Sequence, residues 1–332
     1  MSLTIGLCFD LRSTYLAEGY SEEETAEFDK EDTIAALEDA LGQLGHRTER
    51  IGHARQLATA LVAGKRWDLV FNIAEGLHGI GREAQVPALL DLYRIPYTFS
   101  DPLVMCLTLH KGMCKAVLRD AGVATAAALV VEDSTSMALP PFAGPYFIKP
   151  VAEGTGKGIT PLSIVDQAAD LPQACSRLLA QFRQPVLIEP YLPGREFTTG
   201  ITGTGAEAKV LGTMEVVLNK EAEQGVYSYG NKENWQSRVQ YHLIRPEEDA
   251  CVAQAEAVAL AAWRVLSCRD GGRVDLRCDG AGQPLFMEVN PLAGLHPTHS
   301  DLPILCNLAG ISYQDLIGRI VCSAQKRLAA KV

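Results

Sequence analysis

Hydrophobic and polar positions along the first third of the chain predict strands that alternate with helices. Continuous apolar runs at residues 4–9 and 69–73 are typical of buried strands. Between them, residues 33–44 carry apolar side chains at intervals of three and four and are followed by Gly45, which predicts an amphipathic helix and its end. A second helix is predicted over residues 83–93. This order of elements favours a parallel α/β domain.

The remaining two thirds of the chain mix strands and helices in a different order. We predict a helix that starts at Lys111 and stops at Gly122, and strands on both sides of a glycine-rich segment near residue 155. The other predicted elements are helices over residues 166–182, 247–265 and 313–328, strands from Val186 onward, and a hairpin over residues 273–290.

Composition narrows the function classes. The chain has 332 residues, 47% of them hydrophobic, and a net charge of −10, so it can bury a full core across two or three subdomains. It has no long basic run and no apolar stretch of membrane length, which argues against nucleic acid and membrane partners. Its nine cysteines have no paired or metal-ligand spacing, so we expect reduced thiols in a cytoplasmic protein without a signal peptide.

Chemically competent side chains are concentrated in the predicted hairpin near the end of the chain. Side chains alternate faces along a strand, so Arg273 and Asp275 share one face, as do Glu288 and Asn290 on the next strand. The turn at residues 279–282 would pair the two strands and bring these four side chains together. Carboxylate and amide oxygens suit Mg²⁺, and an arginine beside the metal suits a phosphoryl group. The alternative is a surface hairpin with ordinary charges.

Two further segments carry candidate nucleotide contacts. Lys149 ends an apolar strand and precedes the glycine-rich segment 153–158, whose backbone N–H groups can approach anionic oxygens closely. Neither the P-loop pattern nor Gly-x-Gly-x-x-Gly occurs there, and a plain tight turn is the alternative. Glu189 and Glu196 flank a Pro-Gly turn, where they suit the amine and the ribose hydroxyls of a nucleotide. Alternatively, Glu196 lies on the solvent face of an ordinary hairpin.

Together these segments resemble the ATP-grasp superfamily and, within it, the D-alanine–D-alanine ligase group. The resemblance runs from about Asp68 to the C-terminus, and its ordered set of motifs is more specific than any single one. It implies an α/β fold of three subdomains, in which an N-terminal parallel α/β domain is followed by two α+β domains that clamp ATP. We expect these subdomains at residues 1–104, 105–185 and 186–332.

The resemblance also implies roles for individual residues. The implied catalytic residues are Arg273, which would steady the transferred phosphoryl group, together with Lys232 on a mobile loop and Lys149. The residues expected to contact ATP are Lys111, Lys149, Glu153, Thr155, Glu189, Leu192, Glu196 and Lys232. The residues expected to bind Mg²⁺, as two ions and with Mn²⁺ as an alternative metal, are Asp275, Glu288 and Asn290.

The implied reaction has two steps. ATP phosphorylates a carboxylate to an acyl phosphate, and an amine then attacks that carbonyl while phosphate leaves. Because an acyl phosphate hydrolyses easily, water must be excluded, and we expect the turn around Thr155 and the loop over residues 221–234 to act as lids. The expected partners are small amino-acid or short-peptide substrates. The resemblance also implies that the chain forms a homodimer.

The substrate side departs from the family. The Gly-Gly-x-Ser-x-Glu loop that follows the first strand in the family is missing, and an acidic run over residues 22–32 follows that strand instead. We interpret this run as the solvated start of the next helix, with reception of a cationic substrate as the alternative. Three single departures are His110 in place of the family's aspartate, Thr155 in place of its serine, and Glu233 in place of its tyrosine.

Two loops carry the candidate substrate contacts. The loop after the strand at residues 69–73 holds charges of both signs, and the C-terminal loop holds a serine that replaces the one contacting the second substrate's carboxylate in the family. The predicted substrate residues are Glu75, His78, Arg82, Gly294 and Ser300. Glu83, His296 and His299 are further candidates in these loops. For the histidines, a capping or turn-stabilising role is the alternative.

We therefore predict an ATP-dependent carboxylate–amine ligase whose amino-acid pockets are rebuilt for substrates other than D-alanine. The alternatives are a true D-alanine–D-alanine ligase, another ATP-dependent reaction such as a carboxylation or an amidation of a non-peptide acid, and a nucleotide-binding regulatory protein with little turnover. The complete set of lysine, arginine and metal-ligand positions argues against the last of these, although fold alone never establishes catalysis. The sequence leaves open the identity and chirality of both substrates, their pathway and the oligomeric state.

Overall fold

The computed structural model of this chain describes residues 2–223, 225–226, 230–231 and 235–329. Its N-terminal part is a parallel sheet with the strand order β2-β1-β3. Ile34, Leu37 and Leu41 are buried along one face of α2, as their helical spacing predicts. The elements of this part are β1 (Thr4–Cys8), α1 (Arg12–Ala17), α2 (Glu31–Gln43), β2 (Arg47–Gly52), α3 (Ala54–Val62), β3 (Leu69–Asn72) and α4 (Gln85–Tyr93).

The central part is an antiparallel sheet with the strand order β4-β7-β5-β6, preceded by two helices. Its elements are α5 (Pro102–Leu109), α6 (Lys111–Asp120), β4 (Leu129–Val131), β5 (Tyr146–Pro150), β6 (Ile164–Val165), α7 (Leu171–Phe182) and β7 (Val186–Pro190). The strand that begins at Val186 pairs with β4 and β5, so we propose that the central subdomain ends after Pro190, one strand beyond the expected boundary at residue 185.

The C-terminal part is an antiparallel sheet of five strands with the order β10-β9-β8-β11-β12. Its outer pair, β11 and β12, is the hairpin that the sequence predicts. The elements are β8 (Glu196–Thr202), β9 (Lys209–Leu218), α8 (Trp235–Arg238), β10 (Val239–Ile244), α9 (Ala250–Val265), β11 (Gly271–Cys278), β12 (Pro284–Asn290), α10 (Asp301–Leu308) and α11 (Tyr313–Ala329).

The two ends of the chain share one hydrophobic core. Ile5 of β1 and Leu37 of α2 belong to the same buried cluster as Leu302 of α10 and both Ile317 and Ile320 of α11. Each of these side chains is fully buried, which stabilises the fold by roughly 1.5–3 kcal/mol per residue. This packing holds the N-terminal sheet against the C-terminal part, so that loops following β1 and β3 lie across a cavity from the hairpin.

The predicted elements agree with the structure except at their ends. The strand predicted over residues 4–9 ends at Cys8, and the helix predicted over residues 247–265 begins at Ala250, because the Asp249 carboxylate caps it by accepting from the Cys251 N–H (2.9 Å). All nine cysteines are free. Among the helices of the described residues, none has the length and apolar character needed to cross a membrane.

Candidate active site

The hairpin of β11 and β12 brings four predicted site residues together. In its antiparallel register Arg273 pairs with Asn290, and Asp275 pairs with Glu288. The predicted turn closes the other end of the hairpin, where the Gly282 N–H donates to the Asp279 carbonyl (3.1 Å). The alternation of side chains along a strand was therefore sufficient to predict this cluster.

Arg273 lies among the oxygen atoms of the cluster. Its guanidinium contacts the Asp275 carboxylate, which also accepts from the Thr198 hydroxyl (2.9 Å) and from Asn290 Nδ2 (3.3 Å). Burial alone would lower the pKa of Arg273, but the carboxylates of Asp275 and Asp301 outweigh burial and raise it. The guanidinium therefore keeps its charge, as the stabilisation of an anion requires.

The donor set fits a hard divalent cation. Over the described ranges of the chain, no three His, Cys, Asp or Glu side chains form a cluster that would hold a metal. The predicted set consists instead of the carboxylates of Asp275 and Glu288 and the amide of Asn290. Oxygen ligands of this number and type suit Mg²⁺, which usually keeps several waters and shares phosphate oxygens with its substrate.

A buried ion triad lies beside the predicted nucleotide pocket. Glu189 accepts from Lys149 (3.1 Å) and from Lys115 (2.5 Å), and Lys115, which is 1% exposed, also donates to the Thr125 hydroxyl (3.0 Å). Burial would raise the pKa of Glu189, but the two lysines outweigh it and lower the pKa. Glu189 is thus held as a carboxylate that orients Lys149.

The predicted nucleotide contacts of β7 and β8 surround a cavity of about 70 Å³ between the central and C-terminal sheets, which we call the nucleotide pocket. Glu196 lies in its wall and pairs with Arg277 (3.3 Å), whose guanidinium stacks 5.3 Å from the centre of the Tyr191 ring. Leu192 adds an apolar contact to the lining. An apolar slot with a few placed charges is typical of a nucleotide base and its ribose.

A second cavity, of about 300 Å³, lies between the N-terminal sheet and the hairpin. Its walls include three predicted substrate residues, three residues of the glycine-rich segment and three of the four residues of the hairpin's polar cluster. These residues are Glu75, Gly294, Ser300, Glu153, Gly154, Thr155, Arg273, Glu288 and Asn290. Glu288 lines this cavity and the nucleotide pocket, so it stands where the two meet.

Lys111 reaches the second cavity from the start of α6. Its ammonium group donates to the Glu153 carbonyl (2.6 Å) and lies 3.5 Å from the Glu288 carboxylate. The Glu153 side chain accepts from Lys157 (2.5 Å) and from the Gln184 amide (2.6 Å). The glycine-rich segment is therefore tied to Lys111, which the resemblance predicts to contact ATP.

Glu27 fastens the glycine-rich segment to the N-terminal part. Its carboxylate accepts from Arg82 (3.0 Å), from Lys157 (3.0 Å) and from the Gly154 N–H (2.7 Å). A Cβ at position 154 would collide with the Glu27 carboxylate, so any other residue there would displace that carboxylate. Burial would raise the pKa of Glu27, but Arg82 and Lys157 outweigh it and lower the pKa to about 2.

The acidic run over residues 22–32 therefore has two structural roles. Glu31 and Asp32 occupy the exposed first turn of α2, as the interpretation of a solvated helix start expects. For Glu27 that interpretation is wrong, because its side chain is only 8% exposed and makes the three contacts described above. Asp29 also turns inward and lines the second cavity.

The predicted substrate residues separate into two groups in the structure. Glu75, Gly294 and Ser300 line the second cavity. His78 is exposed outside it, with its ring 3.4 Å from the Tyr20 hydroxyl. Arg82 is buried, and its guanidinium is engaged by the Glu27 carboxylate and by the Ala152 carbonyl (2.8 Å).

Two histidines stabilise the turns in which they lie. His110 Nδ1 accepts from the Met113 N–H (3.1 Å) and so caps α6. A ring nitrogen can thus serve as acceptor where the family has a carboxylate. His296 pairs with Asp32 (3.2 Å), and its backbone N–H donates to the Ser300 hydroxyl (3.0 Å). Lys232 and Glu233 lie outside the described residues.

Sequence reasoning missed four side chains of this site. Lys115 had a usable signal, because it follows Lys111 by four positions on one helix and so shares its face. Arg277 also had one, since it lies two positions from Asp275 on the same strand face. The contact between Glu27 and Lys157 had none, because the two residues are distant in sequence.

The chain is similar to known proteins over most of its length. The family model for the D-ala D-ala ligase C-terminus matches residues 119–322. The chain is 34% identical to the D-alanine–D-alanine ligase of Parvibaculum lavamentivorans over 85% of its own length and 88% of the relative. It is 31% identical to the D-alanine–D-alanine ligase of Rhodospirillum rubrum over 95% of its own length and 98% of the relative. An uncharacterized protein of Sinorhizobium fredii, y4sG, is 32% identical over 87% of this chain and 86% of the relative.

The likeness extends to solved structures. The D-alanine–D-alanine ligase of Bacillus anthracis, solved in complex with ATP, superimposes with a TM-score of 0.73 over 100% of both chains, at 21% sequence identity. At this level of identity the likeness is one of fold. It confirms the predicted ATP-grasp architecture of mixed α/β subdomains.

Proposed function

Because this chain belongs to the D-alanine–D-alanine ligase family and is an ATP-dependent ligase, we propose that it joins two amino-acid-like substrates through an amide bond. The carboxylate of one substrate attacks the terminal phosphorus of ATP, and ADP leaves. The amine of the other then attacks the acyl phosphate, loses a proton, and expels phosphate. The products are the amide, ADP and phosphate.

One observation carries this proposal: the nucleotide pocket and the larger cavity meet at Glu288. A phosphoryl group that passes from ATP to a carboxylate must move between two such spaces within a single site. Arg273 lines the larger cavity, while Asp275, its partner in the ion pair, lines the nucleotide pocket. The hairpin therefore presents carboxylate oxygens to both spaces and the Arg273 guanidinium to the larger cavity.

Each cation has a distinct task in this proposal. Lys149, oriented by Glu189, would neutralise the ATP phosphates, and Arg273 would neutralise the acyl phosphate and the oxyanion of the second step. Asp275, Glu288 and Asn290 would hold Mg²⁺, which supplies charge neutralisation of the phosphates when bound. Lys232, which lies outside the described residues, is proposed as a further contact to the terminal phosphate.

The proposed substrates differ from D-alanine. Support comes from the wall of the larger cavity, where Glu27, Asp29, Glu75 and Glu83 stand on the N-terminal side in a chain without the family's Gly-Gly-x-Ser-x-Glu loop. The second candidate is a true D-alanine–D-alanine ligase, which the names of the relatives at 31–34% identity favour. The need for ATP favours a cytoplasmic site of reaction, and the homodimer remains a prediction.

The test is ADP release with Mg²⁺ and ATP against single and paired L- and D-amino acids. Release that depends on an amino acid other than D-alanine would support the proposed function. Release with D-alanine alone would favour the second candidate. Bound ATP without release under any pairing would contradict the proposed joining of amino acids.

A further inference from the structure

The N-terminal wall of the larger cavity carries more negative than positive charge. Glu27, Asp29, Glu75 and Glu83 all line it. Arg82, which precedes Glu83 in the chain, is engaged by Glu27 and by the Ala152 carbonyl. No other carboxylate on this wall has an ion-pair partner within the described part of the chain.

Most of the remaining basic groups around this wall are engaged elsewhere, whereas Lys30, exposed at the start of α2, also lines the cavity. Lys157 pairs with Glu27 and Glu153, and Lys111 contacts Glu288. Arg12, at the outer edge of the cavity, contacts the Glu22 carboxylate. Asp29, Glu75 and Glu83 therefore have no ion-pair partner in the described ranges, and Arg82 acts on Glu75 and Glu83 through longer-range attraction.

Glu83 is a buried carboxylate that faces the cavity without a partner among the described residues. It is only 8% exposed, it lines the cavity, and its side chain makes no hydrogen bond or ion pair with any described residue. Burial outweighs the attraction of Arg82 and, with repulsion from Glu27, raises its pKa to about 7. Burial and then the charge of Glu83 raise the pKa of Glu75 well above its ordinary value. A buried carboxylate without a partner is destabilising, and a cation bound beside it removes that penalty.

We propose that the larger cavity takes an amino acid with a second cationic group, an amine or guanidinium on its side chain, and that Glu83 and Glu75 bind this group. This inference rests on the proposed ligase function and names the class of one substrate. An α-ammonium alone would need one carboxylate, which Asp29 can provide. The two carboxylates of the loop after β3 remain for the side chain.

The first experiment compares cationic amino acids with neutral ones of the same length. ADP release is measured with diaminopropionate, diaminobutyrate, ornithine, lysine and arginine in both chiralities, each against its straight-chain neutral counterpart. We expect kcat/KM for at least one cationic amino acid to exceed that of its counterpart by tenfold or more, since a hydrogen bond to a charged group contributes roughly tenfold or more.

The variants Glu83→Gln and Glu75→Gln assign the preference to these residues. Each should reduce the ratio of kcat/KM for the cationic amino acid to that of its neutral counterpart by roughly tenfold. ATP affinity should stay within about twofold, which also reports that each variant folds. The matched control is Glu23→Gln, which removes one negative charge from an exposed position of the acidic run. It should leave kcat/KM unchanged for both the cationic amino acid and its neutral counterpart.

The pH dependence gives a second readout. Because the carboxyls must ionise to bind a cation, KM for the cationic amino acid should fall as the pH rises through about 7. KM for the neutral amino acid should change less. A preference for neutral amino acids that Glu83→Gln leaves unchanged would overturn this inference and leave the ligase intact. Bound ATP without ADP release for any amino acid would overturn the proposed function itself.

Discussion

Replacement of Glu27 by glutamine should destabilise the contact between the N-terminal part and the glycine-rich segment. Glutamine keeps the size of the side chain and one oxygen acceptor but removes the charge. The side chain is 8% exposed and accepts from Arg82, Lys157 and the Gly154 N–H. The variant therefore leaves two buried cations with less compensation, which is the costly way to break an ion pair.

The expected loss can be derived from the pKa of Glu27. Arg82 and Lys157, acting against burial, lower this pKa from 4.5 to about 2. At ~1.4 kcal/mol per pKa unit, the ionised carboxylate stabilises the folded chain by about 3 kcal/mol at neutral pH. Removal of one partner of a buried ion pair typically costs roughly 3–5 kcal/mol, in agreement with this value.

The pH dependence has a defined sign. A carboxyl with a lowered pKa contributes its full stabilisation above its unfolded pKa, near 4.5, and loses it as the pH falls through about 2. The difference between wild type and Glu27→Gln should thus fall from about 3 kcal/mol at pH 7 to about 1 kcal/mol at pH 3.

Urea unfolding followed by tryptophan fluorescence at both pH values measures this difference. Glu23→Gln is the matched control and should change stability by less than about 0.5 kcal/mol. Lys157→Met combined with Glu27→Gln should cost less than the sum of the single variants, because the two side chains share one interaction. A loss that is equal at pH 7 and pH 3 would refute the assignment to the ionised carboxylate.

Three further predictions concern the proposed nucleotide and metal side. Glu288→Ala should reduce ADP release by at least 100-fold, a typical order of magnitude for the loss of a group that stabilises transferred charge, while the thermal unfolding temperature stays near that of wild type. Near-normal turnover would remove Glu288 from the metal site. Lys149→Met should weaken ATP binding at least tenfold, as measured by titration calorimetry, and an unchanged affinity would exclude Lys149 from the site. His110→Ala should destabilise the chain by about 1 kcal/mol through loss of the cap on α6, whereas His110→Asp should not, and equal losses in thermal unfolding would contradict the capping role.

Local pattern was enough to predict the hairpin and its cluster. The pairing of Asp275 with Glu288, and of Arg273 with Asn290, follows from two short strands and one turn that are contiguous in sequence. The side-chain period of two then determines which residues share a face. The same reasoning, applied two positions further, would have found Arg277.

The contacts of Glu27 could not be predicted from local sequence pattern. Its partners Arg82 and Lys157 lie 55 and 130 residues away, and they meet it only in the folded chain. In the sequence, Glu27 is one of several acids before a helix, and most such acids are solvated. Which member of the run turns inward is decided by tertiary packing.

Arg82 and Glu83 are adjacent in sequence but serve different parts of the site. Arg82 contacts Glu27 and the Ala152 carbonyl, while Glu83 lines the larger cavity. Release of Arg82 by Glu27→Gln would free a cation beside Glu83, and this cation would compete with a cationic substrate. Glu27→Gln should therefore weaken binding of the cationic amino acid as well as the fold. Restoration of this binding by the added change Arg82→Gln would distinguish competition by Arg82 from a general loosening of the loop.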